Sequence, residues 1–158
     1  MTDITLSRAT EAETLTSDPA AIITLLADSG TTGGAITANR SKFTEGSFGA
    51  PPHFHARATE AFFVLGGRLQ VLTGEEIVTL SAGDFLVVPP ETPHAFAPAP
   101  GHEADVLVVF TPGNDRFDYY RLLDRLARKE ATYQDLRDSQ ERFDNHYTES
   151  AVWSGRKG

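Results

Sequence analysis

The stretch that decides the fold reads Pro51-Pro-His-Phe-His-Ala-Arg-Ala-Thr-Glu60-Ala-Phe-Phe-Val-Leu-Gly-Gly67. A second stretch, Gly83-Asp-Phe-Leu-Val-Val-Pro89-Pro-Glu-Thr-Pro-His94, belongs with it. Together they hold four side chains that commonly bind transition metals. These are His53, His55, Glu60 and His94. The chain has five histidines in 158 residues, so most of them fall in this pattern, and we interpret it as a metal site.

The spacing of these residues suits a site inside a β-structure. Residues two apart on a strand point to the same side, so His53 and His55 can present two imidazoles to one point. Glu60 begins the next apolar run, and a turn through 56–59 can return its carboxylate to the histidines. The proline-rich segment 89–93 would hold His94 at a fixed position.

Three imidazoles and one carboxylate form a nitrogen and oxygen ligand set. Such a set suits one divalent transition metal, namely Fe, Ni, Mn, Co, Cu or Zn, and is poor for calcium or magnesium. Four protein ligands would leave one or two coordination positions open for water, dioxygen or a substrate. The sequence therefore predicts a site for Lewis-acid or redox chemistry.

Side chains that share a face with the predicted ligands are candidates for the substrate pocket. If Glu60 points inward, strand alternation turns Phe62 and Val64 inward as well. Phe96 lies two residues after His94 and should share its face. We therefore predict that Phe62, Val64 and Phe96 line an apolar pocket beside the metal.

The segment 19–113 consists of short apolar runs separated by turn residues, which favours an all-β sandwich or barrel. The runs begin at Ile22, Gly34, Ala61, Arg68, Ile77, Phe85 and Val106. One predicted break lies at Gly66-Gly67, between the third and fourth of these runs. The preceding segment 1–18 is polar and predicts an arm or an edge strand.

The segment 114–150 has helical periodicity instead. Asn114 or Asp115 can cap a first helix. A second helix begins with a capping box of Thr132 and Asp135. Its apolar stripe continues at helical spacing and consists of Tyr133, Leu136, Gln140, Phe143 and Tyr147. We expect these helices to pack on the barrel or on a second subunit, with a lid over the barrel mouth as the alternative, and 151–158 to form a tail.

Composition narrows the class of partner. The net charge of −8 and the absence of a basic cluster argue against nucleic acid. No apolar segment approaches the length that a membrane span needs. The start of the chain lacks a basic stretch followed by an apolar run, so we expect a cytoplasmic location. Without cysteine there is neither a disulfide nor a thiolate ligand.

At these residues the chain resembles the cupin superfamily. Residues matching the first cupin motif are Gly46, His53, His55, Glu60 and Gly67, with one extra residue between Gly46 and His53. Residues matching the second motif are Gly83, Pro89 and His94. Glu91 stands where that motif has a glycine, and Pro98 stands where it has an asparagine. Both departures fall at a turn or strand end and leave the predicted ligands intact.

The resemblance implies a double-stranded β-helix, which is a jelly-roll barrel, followed by C-terminal α-helices. It also implies one divalent metal on the four predicted ligands, a small-molecule substrate and a homodimer. The activity that it implies first is a quercetinase-like dioxygenase with Glu60 as ligand and general base. A non-redox cupin, such as a polyketide cyclase, isomerase or decarboxylase, is the second possibility. A ligand-binding cupin without enzymatic activity is the third.

Overall fold

A computed structural model describes residues 3–156, which form a β-barrel followed by short helices. The strands are β1 Thr14–Leu15, β2 Ala21–Ala27, β3 Thr37–Phe43, β4 Ala50–Phe54, β5 Thr59–Thr73, β6 Glu76–Ser81, β7 Phe85–Val88, β8 His94–Pro98, β9 Ala104–Thr111 and β10 His146–Tyr147. The helices are α1 Arg116–Ala127, α2 Tyr133–Asp138, α3 Gln140–Phe143 and α4 Ala151–Ser154. The predicted all-β fold with C-terminal helices is confirmed.

Strand β5 joins the two sheets of the barrel. Its first half pairs with β7 and β9, and β9 continues through β3 and β2 to the edge strand β1. Its second half pairs with β6 and β8, and β8 continues through β4 to β10. All these pairings are antiparallel, as in a jelly roll. Between the sheets lies an apolar core that includes Phe62, Val64, Val71, Val106 and Phe110.

The predicted break at Gly66-Gly67 is wrong, because β5 runs through it as one strand of 15 residues. The register with β9 shifts between Val64 and Gly66, which marks a bulge where the strand bends from one sheet to the other. Gly67 has a φ of 69°. The glycines therefore turn a strand at a barrel corner and do not end it.

Gly67→Ala is expected to destabilise the fold by more than about 2 kcal/mol, since it adds steric conflict to left-handed strain. A Cβ there would clash with the backbone carbonyl of Glu103. Gly74→Ala is the matched control, because Gly74 has a similar φ of 75° and nothing within 4 Å of the added carbon. Urea unfolding of both variants measures the difference. Equal losses would show that the close approach of Glu103 to Gly67 contributes nothing.

Strand β3 also departs from the sequence prediction. The predicted run at Gly34 lies in a turn, where Gly33 and Gly34 have φ values of 62° and 78°. The strand begins later, and its inward residues include Asn39 and Ser41, both buried. Asn39 donates an amide hydrogen bond to the Ser41 hydroxyl at 3.0 Å. Polar residues inside the barrel hide this strand from an analysis based on apolar alternation.

Helix α1 packs its apolar face on the barrel, with Tyr119, Tyr120 and Leu122 buried against Leu25 of β2. The predicted capping box at α2 is confirmed: the Thr132 hydroxyl accepts from the Asp135 amide at 3.2 Å. In return, the Asp135 carboxylate accepts from the Thr132 amide at 2.7 Å. The predicted packing on the barrel is therefore present for α1.

The prediction that the second helix continues to Tyr147 is wrong. Ser139 separates α2 from α3, and Asp144 ends α3 in the left-handed conformation. The chain then continues as β10, which pairs with β4. The segment predicted as a tail contains α4, because Trp153 is buried against Leu72 and neighbouring residues of β8. Residues 157–158 of that predicted tail lie outside the described residues.

No helix within residues 3–156 is both long and apolar enough to cross a membrane.

Candidate metal centre

Three strands bring the four predicted ligands to one point inside the barrel. His53 lies on β4 directly opposite His94, the first residue of β8. His55 follows the end of β4, and Glu60 is the second residue of β5. The possible ligand atoms of the four side chains all lie within 4.8 Å of one another. We call this group (His53, His55, Glu60 and His94) the four-residue cluster, and every member is at most 3% exposed.

Backbone carbonyls fix the tautomer of each histidine. The Nδ1 atoms lie 2.7, 2.6 and 2.9 Å from the carbonyl oxygens of Pro51, Asp144 and Thr92 for His53, His55 and His94, respectively. A carbonyl oxygen only accepts, so each Nδ1 must donate its hydrogen. In the neutral imidazoles the Nε2 lone pairs therefore remain free. This arrangement is typical of metal-binding histidines, whose second nitrogen is held by a hydrogen bond.

The free Nε2 atoms converge on Glu60. Its Oε2 atom lies 2.8 Å from Nε2 of His55 and 2.6 Å from Nε2 of His94. Two lone pairs at this distance repel unless a proton or a cation lies between them. A proton on one histidine satisfies one contact, whereas a divalent cation satisfies all the ligands together. The residues present therefore fit a divalent metal.

The charges within the cluster are strongly coupled. Burial raises the pKa of Glu60, but His94 and His55 outweigh it and hold that pKa well below its usual range. Burial lowers the pKa of His53, and His94 and His55 lower it further. Burial also lowers the pKa of His94, but the Glu60 charge more than compensates and raises it. An ionised carboxylate and a neutral His53 suit a cation, and metal binding would displace the proton that Glu60 favours on His94.

Asp144 supports the cluster from outside, and the sequence analysis missed it. Its carboxylate accepts from the backbone amides of Ala56 and Arg57 at 2.8 and 3.0 Å. Its own carbonyl accepts from Nδ1 of His55. Asp144 thus ties the loop after β4 to the end of α3 and orients one imidazole.

Asp144→Asn is expected to lower metal affinity about 10- to 100-fold, the range typical of residues that orient a ligand. The amide nitrogen would face either the Ala56 or the Arg57 amide, which are both donors. The resulting shift would move the Asp144 backbone carbonyl that orients His55. Asp138→Asn, at the exposed end of α2, is the control. Metal titration of both variants tests the expectation, and equal affinities would remove Asp144 from the support of the site.

At Glu91, the backbone explains one departure from the second cupin motif. Glu91 has a φ of 62° where the motif has glycine, and its amide donates to the His55 carbonyl at 2.7 Å. Left-handed backbone is the usual reason for a glycine at a turn. The turn geometry is thus kept without the glycine, and it holds His55 from a second side.

A cavity of ≈ 390 Å³ opens onto the cluster and reaches out between the barrel and α1. His53 and Glu60 lie on its wall, together with the predicted pocket residue Phe96. Phe62 and Val64 are fully buried in the barrel core, where the Phe62 ring lies 6.2 Å from that of His94. Of the three predicted pocket residues, Phe96 thus faces the cavity and Phe62 packs behind a ligand.

The cavity wall also carries polar residues that were not predicted from the sequence. They are Arg116, Tyr119, Tyr120, Asn145 and Tyr147. The Tyr119 and Tyr147 hydroxyls lie 2.6 Å apart. Burial raises the pKa of both tyrosines, so both hydroxyls keep their protons at neutral pH. The sequence contains one indication of this wall, because polar residues are concentrated in Phe143-Asp-Asn-His-Tyr147. A solvated helix end is the simpler interpretation of that segment from sequence alone.

The fold and the cluster together define a small β-barrel protein with a buried histidine–glutamate site of the kind that holds a metal. Residues 39–111 match the Cupin_2 family, the cupin domain. Structural neighbours with a cupin fold agree with this match. These findings support the assignment to the cupin superfamily that the sequence motifs predict. A comparison with curated proteins found no match.

Several solved structures are similar to this chain. KdgF from Halomonas sp. has 25% identity and a TM-score of 0.63, over 73% of this chain and 99% of its own. An RmlC-like cupin from Shewanella frigidimarina has 18% identity and a TM-score of 0.58, over 74% and 99%. Pac13 of Streptomyces, a nucleoside dehydratase, has 20% identity and a TM-score of 0.57, over 74% and 88%. The last two similarities concern the fold alone.

Proposed function

We propose that this protein is a metal-dependent enzyme that acts on a small aromatic or enolisable substrate, with dioxygenase chemistry as the leading reaction. The four-residue cluster would hold one divalent transition metal at the floor of the cavity. Such an ion supplies Lewis-acid or redox chemistry. A dioxygenase places both oxygen atoms in the product, so the reaction needs no external reductant.

The observation that carries the proposal is the convergence of Nε2 lone pairs on the Glu60 carboxylate at a cavity wall. His53 and Glu60, although almost fully buried, both line the cavity. That cavity is of the size that takes a small molecule. Phe43 and Phe96 stand edge to face, with ring centroids 6.0 Å apart, and supply an apolar wall for a planar substrate.

Glu60 has the clearest catalytic role among the residues of this chain. It is ionised at neutral pH, because the histidines hold its pKa low. Its carboxylate can therefore accept a proton from an enol or phenol hydroxyl of the substrate at the cavity floor.

A second candidate function is non-redox, as in a cyclase, isomerase or decarboxylase. The polar wall of the cavity favours it, because the paired hydroxyls of Tyr119 and Tyr147 can donate a proton without any change in oxidation state. Tyr119 and Tyr147 line the same cavity as Glu60. A carboxylate on one side and proton donors on the other suit proton transfer next to a carbonyl.

Dioxygen uptake separates the two candidates. Metal-loaded protein is incubated with flavonols and catechols in an oxygen electrode, and chelator-treated protein is the control. The proposal predicts consumption of one dioxygen per substrate lost. Solvent deuterium entering a 1,3-dicarbonyl substrate without dioxygen uptake would contradict the dioxygenase and support the second candidate. Neither activity, with metal bound, would contradict both.

A further inference from the structure

Arg116 is a buried cation at the cavity wall. It opens α1, lies outside the segment 39–111 that matches the cupin domain, and is 3% exposed. Its guanidinium carbon lies 4.1 Å from the ring centroid of Tyr119, 4.6 Å from that of Phe110 and 5.2 Å from that of Tyr120. The aromatic rings thus hold the guanidinium in place, and Arg116 is one of the residues that line the cavity.

Arg116 forms no salt bridge within residues 3–156. Burial lowers its pKa, but the nearby Tyr120, Tyr119 and Glu60 side chains raise that pKa overall. The Arg116 Nη1 atom donates to the side-chain oxygen of Asn145 at 3.1 Å, which is a neutral acceptor. Its Nε atom is buried and has no hydrogen-bond partner among the described residues. A buried donor without a partner is costly, so a ligand atom that accepted a hydrogen bond from this Nε would be stabilising.

Asn145 adds a second donor at the same place. Its Oδ1 atom is engaged by Arg116, and this contact fixes which end of the amide is nitrogen. The Nδ2 atom is then left buried without a partner, like Nε of Arg116. Both residues line the cavity that reaches His53 and Glu60. Two unpartnered N–H donors and a positive charge at one wall are complementary to an oxyanion.

We propose that Arg116 and Asn145 bind a carboxylate of the substrate in the cavity that His53 and Glu60 also line. A monoanion fits better than a phosphate dianion, because one guanidinium charge balances one negative charge and Glu60 repels a second. The proposed substrate is therefore a small carboxylic acid whose remaining part is apolar or aromatic. This role as a substrate site rests on the proposed function, whereas the binding of the anion itself does not.

Binding of benzoate to chelator-treated protein tests the anion site without the metal. Isothermal titration compares benzoate with benzamide, its neutral counterpart, and with inorganic phosphate. The expected result is that benzoate binds at least about tenfold more tightly than benzamide, as for hydrogen bonds to a charged group. Equal binding of benzoate and benzamide would overturn the proposal. Tighter binding of phosphate would overturn the assignment to a carboxylate.

Variants assign the effect to the two residues. Arg116→Gln should weaken benzoate binding at least about tenfold, whereas Arg125→Gln, on an exposed position of the same helix, should not. Asn145→Asp places a carboxylate beside Arg116, so it should keep the fold and block benzoate even if Arg116→Gln unfolds. Benzoate binding that survives Asn145→Asp would contradict the site. Because metal content is not involved, failure here leaves the proposed metal function standing.

Discussion

His94→Ala is expected to lower metal affinity by more than about 100-fold, since it removes a ligand and not merely a group that orients one. His94 holds the centre of the cluster: its Nε2 atom makes the 2.6 Å contact with Glu60. The fold should survive, with a loss of about 2 kcal/mol for the cavity left behind. Metal titration and urea unfolding of the metal-free protein measure the two effects separately.

The matched control is His102→Ala, because His102 is an exposed histidine outside the cluster. It should bind metal like the unmodified protein. Full metal occupancy of the His94→Ala variant after dialysis would show that His94 is not a ligand. The cluster would then be a hydrogen-bonded structural group, and the metal-dependent function would lose its basis.

The second large effect is expected at Glu60. Glu60→Gln keeps the three histidines and the shape of the side chain, so part of the metal should remain bound. Turnover should fall about 10²- to 10⁴-fold, because the amide cannot accept a proton as the carboxylate does. Metal content and initial rate, measured on the same sample, separate the loss of the base from the loss of the ion.

Glu75→Gln, in the exposed turn between β5 and β6, controls for the change in net charge. Turnover per bound metal that is unchanged in Glu60→Gln would remove Glu60 from catalysis and leave it a structural role. A complete loss of metal would make it chiefly a ligand. Only retained metal with lost turnover agrees with both roles proposed for Glu60.

The proximity of the four cluster side chains could be predicted because it depends on local sequence patterns. His53 and His55 share a face through strand alternation, and the prolines before His94 limit where that residue can lie. The barrel class was predictable for the same reason, since short apolar runs and turn residues are local signals. The continuous β5 was not predictable, because a glycine pair ends a strand in one context and bends it in another.

The groups around the cluster come from distant parts of the chain. Asp144 is 89 residues away from the His55 that it orients, and Asn145 is 29 residues away from Arg116. Neither residue belongs to a periodic sequence pattern. Asp144 binds the loop after β4, and Asn145 forms a single contact with α1. Arg116 itself looks like an ordinary first-turn residue of an amphipathic helix. Its burial follows only from where α1 packs on the barrel.

The measurement that tests the account most directly is the metal content of untagged protein, purified with and without air, by plasma mass spectrometry. The account predicts close to one Fe, Ni, Mn, Co, Cu or Zn ion per chain, reduced in His94→Ala and unchanged in His102→Ala. Protein that carries no transition metal, and binds none when it is supplied, would contradict the central claim.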